Sequence, residues 1–419
     1  MHYLAPALEA DGASVWRTVS DGGEYFGTPA KNRLVFVPSD RHLNTFDAEW
    51  DDFLQSSMTG HHISAVITFN DSCRRSKAAH RVAAKLGIPR FVLEEGYLRP
   101  WWVTFDHEGV NGNSLLPKDP DFYLSQQPVD VPHETFEQSF RFLVRDIIIH
   151  YSACAAMSPV LPYDPRYYGD SIWTQAKGYV REYVWRKFHD ETPILRSLQN
   201  LHRTGRRVFI ALMQKPGDAQ LRHHSKYQAN NPYLEEVIGS FARHAAKDDV
   251  LVVKQHPLDY GIERSEALFD RLVAEHGLTG RACYVRKLTI ESVLEVAAGL
   301  VTINSTGGIA ALQSSFPTIS LGKAIYDMPR LTFQDGIDQF WTQSTPPDAR
   351  VVDAFLGYLK SRTQVNGGYY SHRQLTLLTG RLTEKMLKGA IAPHAAAGSR
   401  LSEPVDQLTP IAAPSLAVS

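Results

Sequence analysis

Cysteine is scarce in this chain. Cys73, Cys154 and Cys283 are the three it has, and they stand far apart. They form neither a disulfide framework nor a metal-ligand spacing, which fits a reducing compartment. Long apolar runs are missing as well. No window approaches the roughly 18 uninterrupted apolar residues of a membrane span, so no transmembrane helix is expected. The first residues, M-H-Y-L-A-P-A-L-E-A, lack a basic segment followed by a long apolar run, so no secretory signal is expected either. Nor is there an excess of charge. Lys and Arg total 44 against 45 Asp and Glu, a formal net charge of −1, and no global basic field argues for nucleic acid. A cytoplasmic protein follows, one still able to touch a membrane peripherally.

What is present is ordinary globular material. Hydrophobic residues make up 43% and charged residues 21% of 419 residues, a length that suggests about two to three domains. Residues 1–30 are Gly-rich and weakly patterned, an irregular lead-in. Short apolar runs at 33–38, 65–69 and 90–93 read as strands, with helical spacing at 46–58 and 77–86 between them. Strands alternating with helices indicate βαβ units in a parallel sheet. Residues 97–120 carry Tyr97, Arg99, Trp101, Trp102, Asn111, Gly112 and Asn113 without a period, and read as a long functional loop. Helices are expected over 134–157 and 171–201. The α/β rhythm then resumes, with strands at 208–213, 250–253, 283–285, 300–303 and 317–321, and helical residues over 350–388. The fold class is α/β and GT-B-like, with two Rossmann-like halves and a cleft between them. The boundaries are 1–165 for the first half, 166–205 for a helical connection and 206–345 for the second half. Residues 346–391 form C-terminal helices, and the Ala-, Ser- and Pro-rich 392–419 a disordered tail.

Ligands in open α/β sheets bind beyond the carboxyl ends of the strands. Val208 to Met213 is followed by Gln214, Lys215, Pro216, Gly217 and Asp218. Asp218 is either a catalytic acid or the N-cap of the next helix. Lys254, Gln255, His256 and Pro257 end another strand. Lys254 supplies positive charge, and His256 is either a ligand for a nucleotide phosphate or sugar or a satisfied structural residue. Asn304, Ser305, Thr306, Gly307 and Gly308 join a strand to a helix. Their hydroxyls and first N–H groups make a phosphate site, or an ordinary cap. Glu94 and Glu95 follow a third buried strand, face opposite ways, and offer a general acid or base or a salt bridge to Arg99. Two carboxylates beside a nucleotide-sugar site suit glycosyl transfer, one forming an adduct and the other handling protons. With no metal cluster in view, neither metal nor cofactor is expected.

Several segments together resemble one family. They are L-E-E-G-Y-L-R-P (93–100), V-N-G-N-S-L-L-P (110–117), Q-K-P-G-D-A-Q-L (214–221), K-Q-H-P (254–257) and I-N-S-T-G-G-I-A-A-L (303–312). In this order they look like the capsule polysaccharide biosynthesis and export proteins of KpsS/LipB type, over about residues 33–345. The resemblance implies a retaining β-Kdo transferase using CMP-Kdo. The acceptor it implies is a phosphatidylglycerol-type lipid at the cytoplasmic face of the inner membrane, where the poly-Kdo linker of an exported capsule begins. It implies an acceptor-side first half and a CMP-sugar-binding second half. It makes Asp218 the nucleophile, and Glu94, with Glu95 beside it, the acid/base. Gln214, Lys254, His256, Asn304, Ser305, Thr306 and Gly307 become substrate-binding residues, and Arg99 the partner of the Kdo carboxylate. A single such unit resembles the initiating rather than the tandem elongating relatives. Trp101, Trp102, Tyr167 and Tyr168 would suit a membrane interface or a core. The partners implied are the inner-membrane surface and other capsule biosynthesis or export proteins. Alternatives are linker elongation, transfer from another nucleotide-sugar such as a UDP-sugar, or a non-catalytic export or assembly component.

Overall fold

The computed structural model describes residues 3–27, 30–40, 44–127, 129, 131–137, 140–161, 172–387 and 415–418. Twelve strands run through them. β1 is Ser14–Val19, β2 Asn32–Val35, β3 Ala65–Phe69, β4 Arg90–Glu95, β5 Trp102–His107 and β6 Val208–Leu212. β7 is Val250–Lys254, β8 Ala282–Val285, β9 Ala297–Thr302, β10 Thr318–Ser320, β11 Gln364–Asn366 and β12 Ser415–Val418. The chain divides into two compact units. One comprises Met1–Pro117, Val129–Tyr168 and Gly357–Ser419, the other Lys118–Pro128 and Gly169–Leu356.

The second unit is a five-stranded, wholly parallel sheet in the order β10-β9-β6-β7-β8. Its central strand shows why the apolar run is unbroken. Phe209, Ala211 and Met213 enter one core with Phe241 and Trp341, while Val208, Ile210 and Leu212 enter another with Leu198, Val252 and Leu300. Successive side chains point to opposite faces, and helices cover both. Strands and helices of this half fall close to where the sequence places them.

The first unit departs further. Its seven-stranded sheet runs β11-β5-β4-β3-β12-β1-β2. β4 with β5 and β5 with β11 are antiparallel, and the remaining pairs are parallel. The irregular lead-in expected over 1–30 instead holds the helix Leu4–Ala10, β1, and the helix Gly22–Gly27. Arg17 and Thr18 break the apolar run of β1, which hides it from a periodicity reading. The stretch 97–120 is not all loop, because Trp102–His107 forms a hairpin with β4.

The units also cut across the expected boundaries. The connection over 166–205 contains two helices, Ile172–Phe188 and Thr192–Arg203, and both belong to the second unit. Ile194, Leu198 and Leu201 of the latter pack into the core under β6. Lys118–Pro128 joins the same unit, with Lys118 Nζ donating to the Ile325 carbonyl (2.9 Å). The expected C-terminal helical block is two helices, Ala349–Arg362 and His372–Leu387, separated by β11. Of the tail expected to be disordered, 392–414 and 419 lie outside the described residues, while Ser415–Val418 forms β12 between β1 and β3. No helix among the described residues is long and apolar enough to cross a membrane.

Candidate functional site

Three adjacent strands, β9, β6 and β7, carry the candidate residues of the second unit at their carboxyl ends. After β6 the chain turns sharply. Asp218 N–H donates to the Lys215 carbonyl (3.0 Å), with Pro216 and Gly217 between them and Gly217 at φ +75°. A four-residue turn with Pro second and a positive-φ Gly third is a type II turn. The Pro-Gly pair is therefore the local reason the chain reverses here. Asp218 directly precedes the helix Ala219–His223, and its carbonyl accepts from Arg222 N–H (3.2 Å). It occupies the cap position and is half-buried.

Gln214 is fixed from two sides. Its N–H donates to Asn230 Oδ1 and its carbonyl accepts from Asn230 Nδ2, both at 2.9 Å. Its Nε2 donates to Asn304 Oδ1, which ties the β6 end to the β9 end. Its Oε1 is buried and has no hydrogen-bond partner among the described residues. An orphaned buried acceptor is rare in native structures, and a bound donor is one way to satisfy it.

The β9 end is committed largely to the chain itself. Ser305 Oγ accepts from Gly307 N–H (3.1 Å), so Ser305 acts as a cap for the helix Gly307–Gln313. Tyr326 Oη donates to the Ser305 carbonyl (2.6 Å). Gly307 and Gly308, which in sequence could let a ligand approach the backbone, have another use. They let the helix approach the chain's own side chains. A Cβ at Gly307 would meet Leu212 and Ile290 (2.6 Å each), and one at Gly308 would meet the Tyr326 ring. Thr306 is half-buried and takes no part in the cap.

Lys254 ends β7 fully buried, its Nζ donating to the Gln255 carbonyl (3.3 Å). Burial pulls its ammonium down to about 8; Arg186 adds to the fall, and Glu191 and Glu291 oppose it. Since the folded value lies below the unfolded one, the unfolded chain holds more protons between about pH 8 and the ordinary lysine range, and this residue's contribution to stability rises with pH across that window. Lys254→Met should therefore raise the urea midpoint at pH 7, and that advantage should vanish by pH 10. His256 Nδ1 accepts from Leu258 N–H (3.0 Å), which leaves Nε2 as the protonated nitrogen of the neutral ring.

In the first unit, Glu94 and Glu95 end β4, opposite Thr104 and Val103 of β5. Glu95 takes the salt-bridge alternative, pairing with Arg99 Nη2 (2.7 Å) at the surface. Burial holds the phenols of Tyr97 and Tyr369 well above their ordinary value, and half-buried Glu94 adds to the rise of both. The structure thus brings Gln214, Asp218 and Asn304–Gly307 to neighbouring strand ends with Lys254 and His256 in one unit, and Glu94, Glu95 and Arg99 to one strand end in the other.

Residues 64–370 match the family described as capsule polysaccharide biosynthesis protein. The chain belongs to that family. It is 34% identical over 369 residues to the capsule polysaccharide export protein KpsS of Escherichia coli, covering 88% of this chain and 93% of that one. It is 31% identical over 385 residues to the capsule polysaccharide modification protein LipB of Neisseria meningitidis serogroup B, covering 88% of each. Among solved structures, KpsC of Thermosulfurimonas dismutans, a β-Kdo 2,7 transferase, is similar at 13% identity and a TM-score of 0.40, over 81% of this chain and 89% of that chain. That likeness is too distant to place any residue.

In this capsule biosynthesis protein several residues that periodicity passes over hold the motifs in place. Tyr97 Oη accepts from Asn111 N–H (2.7 Å). Buried Asp71 accepts from Val110 N–H and Asn113 Nδ2 (3.0 Å each). The V-N-G-N segment is therefore stapled to the E-E-G-Y strand end, and the two motifs form one structural unit. Trp102 is buried, and Trp101 donates its Nε1–H to the Phe136 carbonyl (2.9 Å), so neither is a free surface aromatic. Tyr167 and Tyr168 lie outside the described residues.

Proposed function

We propose that this protein is a glycosyltransferase of capsule biosynthesis that transfers β-Kdo from CMP-Kdo, with retention, to a phosphatidylglycerol-type lipid, starting the poly-Kdo linker. The observation that carries this reading is the orphaned Gln214 Oε1. It sits at the carboxyl end of the central parallel strand, tied to Asn304 and one turn from Asp218. A buried acceptor there fits a ligand that brings a donor, as the amino group of cytosine or a sugar hydroxyl does. His256 and Thr306 flank it in the strand order β9-β6-β7.

In this reading the Asp218 carboxylate attacks the anomeric carbon. The bond to the CMP phosphate breaks, and CMP leaves with the electron pair. The acceptor hydroxyl then displaces the carboxylate, its proton passing to water, and two inversions give retention. Arg99 is held by Glu95, so pairing with the Kdo carboxylate requires exchange of that bond. No metal or cofactor has a part in these steps.

A lipid acceptor places the enzyme at the inner-membrane surface. The helix Ile172–Phe188 supports this with an exposed stripe of Val180, Tyr183, Val184 and Phe188 beside the basic Arg181 and Lys187. An apolar face flanked by basic residues suits an anionic interface. Incubation of the full chain with CMP-Kdo, generated in situ, and lyso-phosphatidylglycerol should give a Kdo-lipid. Absence of product from a folded protein that binds CMP favours a binding component of capsule export or assembly. Stronger thermal stabilisation by UDP than by CMP favours another donor.

A further inference from the structure

We propose that Asp21, His150 and Cys154 form a zinc-class metal site that pins the helix Phe140–Met157 to the carboxyl end of β1. Each offers one ligand atom, and these atoms lie within 4.8 Å of one another. Asp21 follows β1, while His150 and Cys154 sit four residues apart on one face of the helix. Asp21 and Cys154 are buried and His150 half-buried, which leaves a way in for an ion.

Two of the three ligand-to-ligand distances have the length found in a coordination sphere, and the third, Asp21 to His150, lies within 4.8 Å. Cys154 Sγ is 3.6 Å from Asp21 Oδ1 and 3.6 Å from His150 Nε2. Zinc lies about 2.3 Å from sulfur and about 2.0–2.2 Å from nitrogen or oxygen, so tetrahedral angles put such ligands about 3.6 Å apart. One S–H donates to one neighbour at a time, whereas a thiolate on a metal satisfies the geometry to both. A dication with one thiolate and one carboxylate is neutral, and a neutral imidazole completes a nitrogen, oxygen and sulfur donor set that suits zinc. Water takes the fourth position.

The surrounding chain is shaped to hold the three groups. A Cβ at Gly23 would fall on the His150 ring, and one at Gly22 on the Ala153 carbonyl, so these glycines let the two helices close. Asp21 divides its oxygens. Oδ1 accepts from Glu24 N–H (2.8 Å) and faces Cys154 Sγ, and Oδ2 faces Arg75 Nη2 (3.6 Å). Arg75 also pairs with Glu24 (3.1 Å), and buried Arg17 is a second cation beside the two carboxylates. Asp21 and Cys154 are 133 residues apart, which is why no metal spacing is visible along the chain.

The test uses the full chain, stripped with a chelator and titrated with Co²⁺. The expected result is one equivalent bound, with a thiolate-to-cobalt absorption band that Zn²⁺ abolishes. Cys154→Ser and His150→Gln should lose the band, and Cys73→Ser and Cys283→Ser should keep it. No band in the parent chain, or a band that survives Cys154→Ser, overturns the proposal. If Cys154→Ser does not fold, peptide mapping of the unaltered chain decides: Zn²⁺ should protect Cys154 from alkylation more than Cys73, and equal protection overturns it.

Discussion

Asp218→Asn should lower kcat for Kdo transfer by at least about 10³-fold, while CMP affinity changes by less than about threefold and the melting temperature by less than about 2 °C. The substitution separates the two roles this residue could have. Asn and Asp are equally good helix caps, so a purely capping residue tolerates the exchange. A nucleophile does not, because the amide has no charge with which to form the glycosyl bond. The turn before it contains Pro216 and Gly217 at φ +75°, neither of which is altered, so the backbone that aims position 218 is retained. Asp218→Ala is the less informative change. It removes cap and carboxylate together and adds a stability loss of about 1 kcal/mol. Kinetics with CMP-Kdo and equilibrium binding of CMP check the prediction, and near-normal turnover by Asp218→Asn removes it as nucleophile.

Legibility along the sequence followed burial. β6 and β7 are covered on both faces and read as unbroken apolar runs, V-F-I-A-L and V-L-V-V, the second closed by Lys254. β1 and β11 belong to the same kind of core but carry polar residues whose partners are remote. Gln364 of β11 is buried because its Oε1 accepts from Tyr97 N–H (3.0 Å), and Asn366 because its Oδ1 accepts from Glu134 N–H (2.8 Å). Nothing within a local window announces such bonds. The candidate site was legible as a set of strand ends, since the α/β rhythm fixes where strands stop. What each residue does there was less so. Gly307 and Gly308 look like a ligand cradle in sequence, and turn out to be filled by Leu212, Ile290 and Tyr326. Alternation already sets Glu94 and Glu95 on opposite faces, but not which of them takes the salt bridge, and Arg99 engages Glu95.

Glu191→Ala should be strongly destabilising although the residue lies outside the sheet cores. Glu191 precedes the helix Thr192–Arg203 and is buried. Its two carboxylate oxygens accept from the N–H groups of Arg286 (2.7 Å), Lys287 (2.8 Å) and Leu288 (3.0 Å). These residues follow β8 and have no strand partner there, so the carboxylate replaces a missing piece of secondary structure. Hydrogen bonds to a charged group contribute about 1.5–3 kcal/mol each, and a donor left buried without a partner carries its own desolvation penalty. The three are not additive, because the segment relaxes once the first is lost. A loss of about 3–5 kcal/mol follows, seen as a fall of about 6–20 °C in melting temperature for a unit of this size. Glu191→Gln keeps one acceptor oxygen and should lose about half as much. The effect should also reach the site. The Arg286–Leu288 segment leads into the helix Ile290–Leu294, and Ile290 packs where a side chain at Gly307 would stand. Loosening that segment frees the helix that begins at Gly307, so CMP affinity should fall together with stability in Glu191→Ala and recover in part in Glu191→Gln. A fall in stability with unchanged CMP affinity would confine Glu191 to the scaffold.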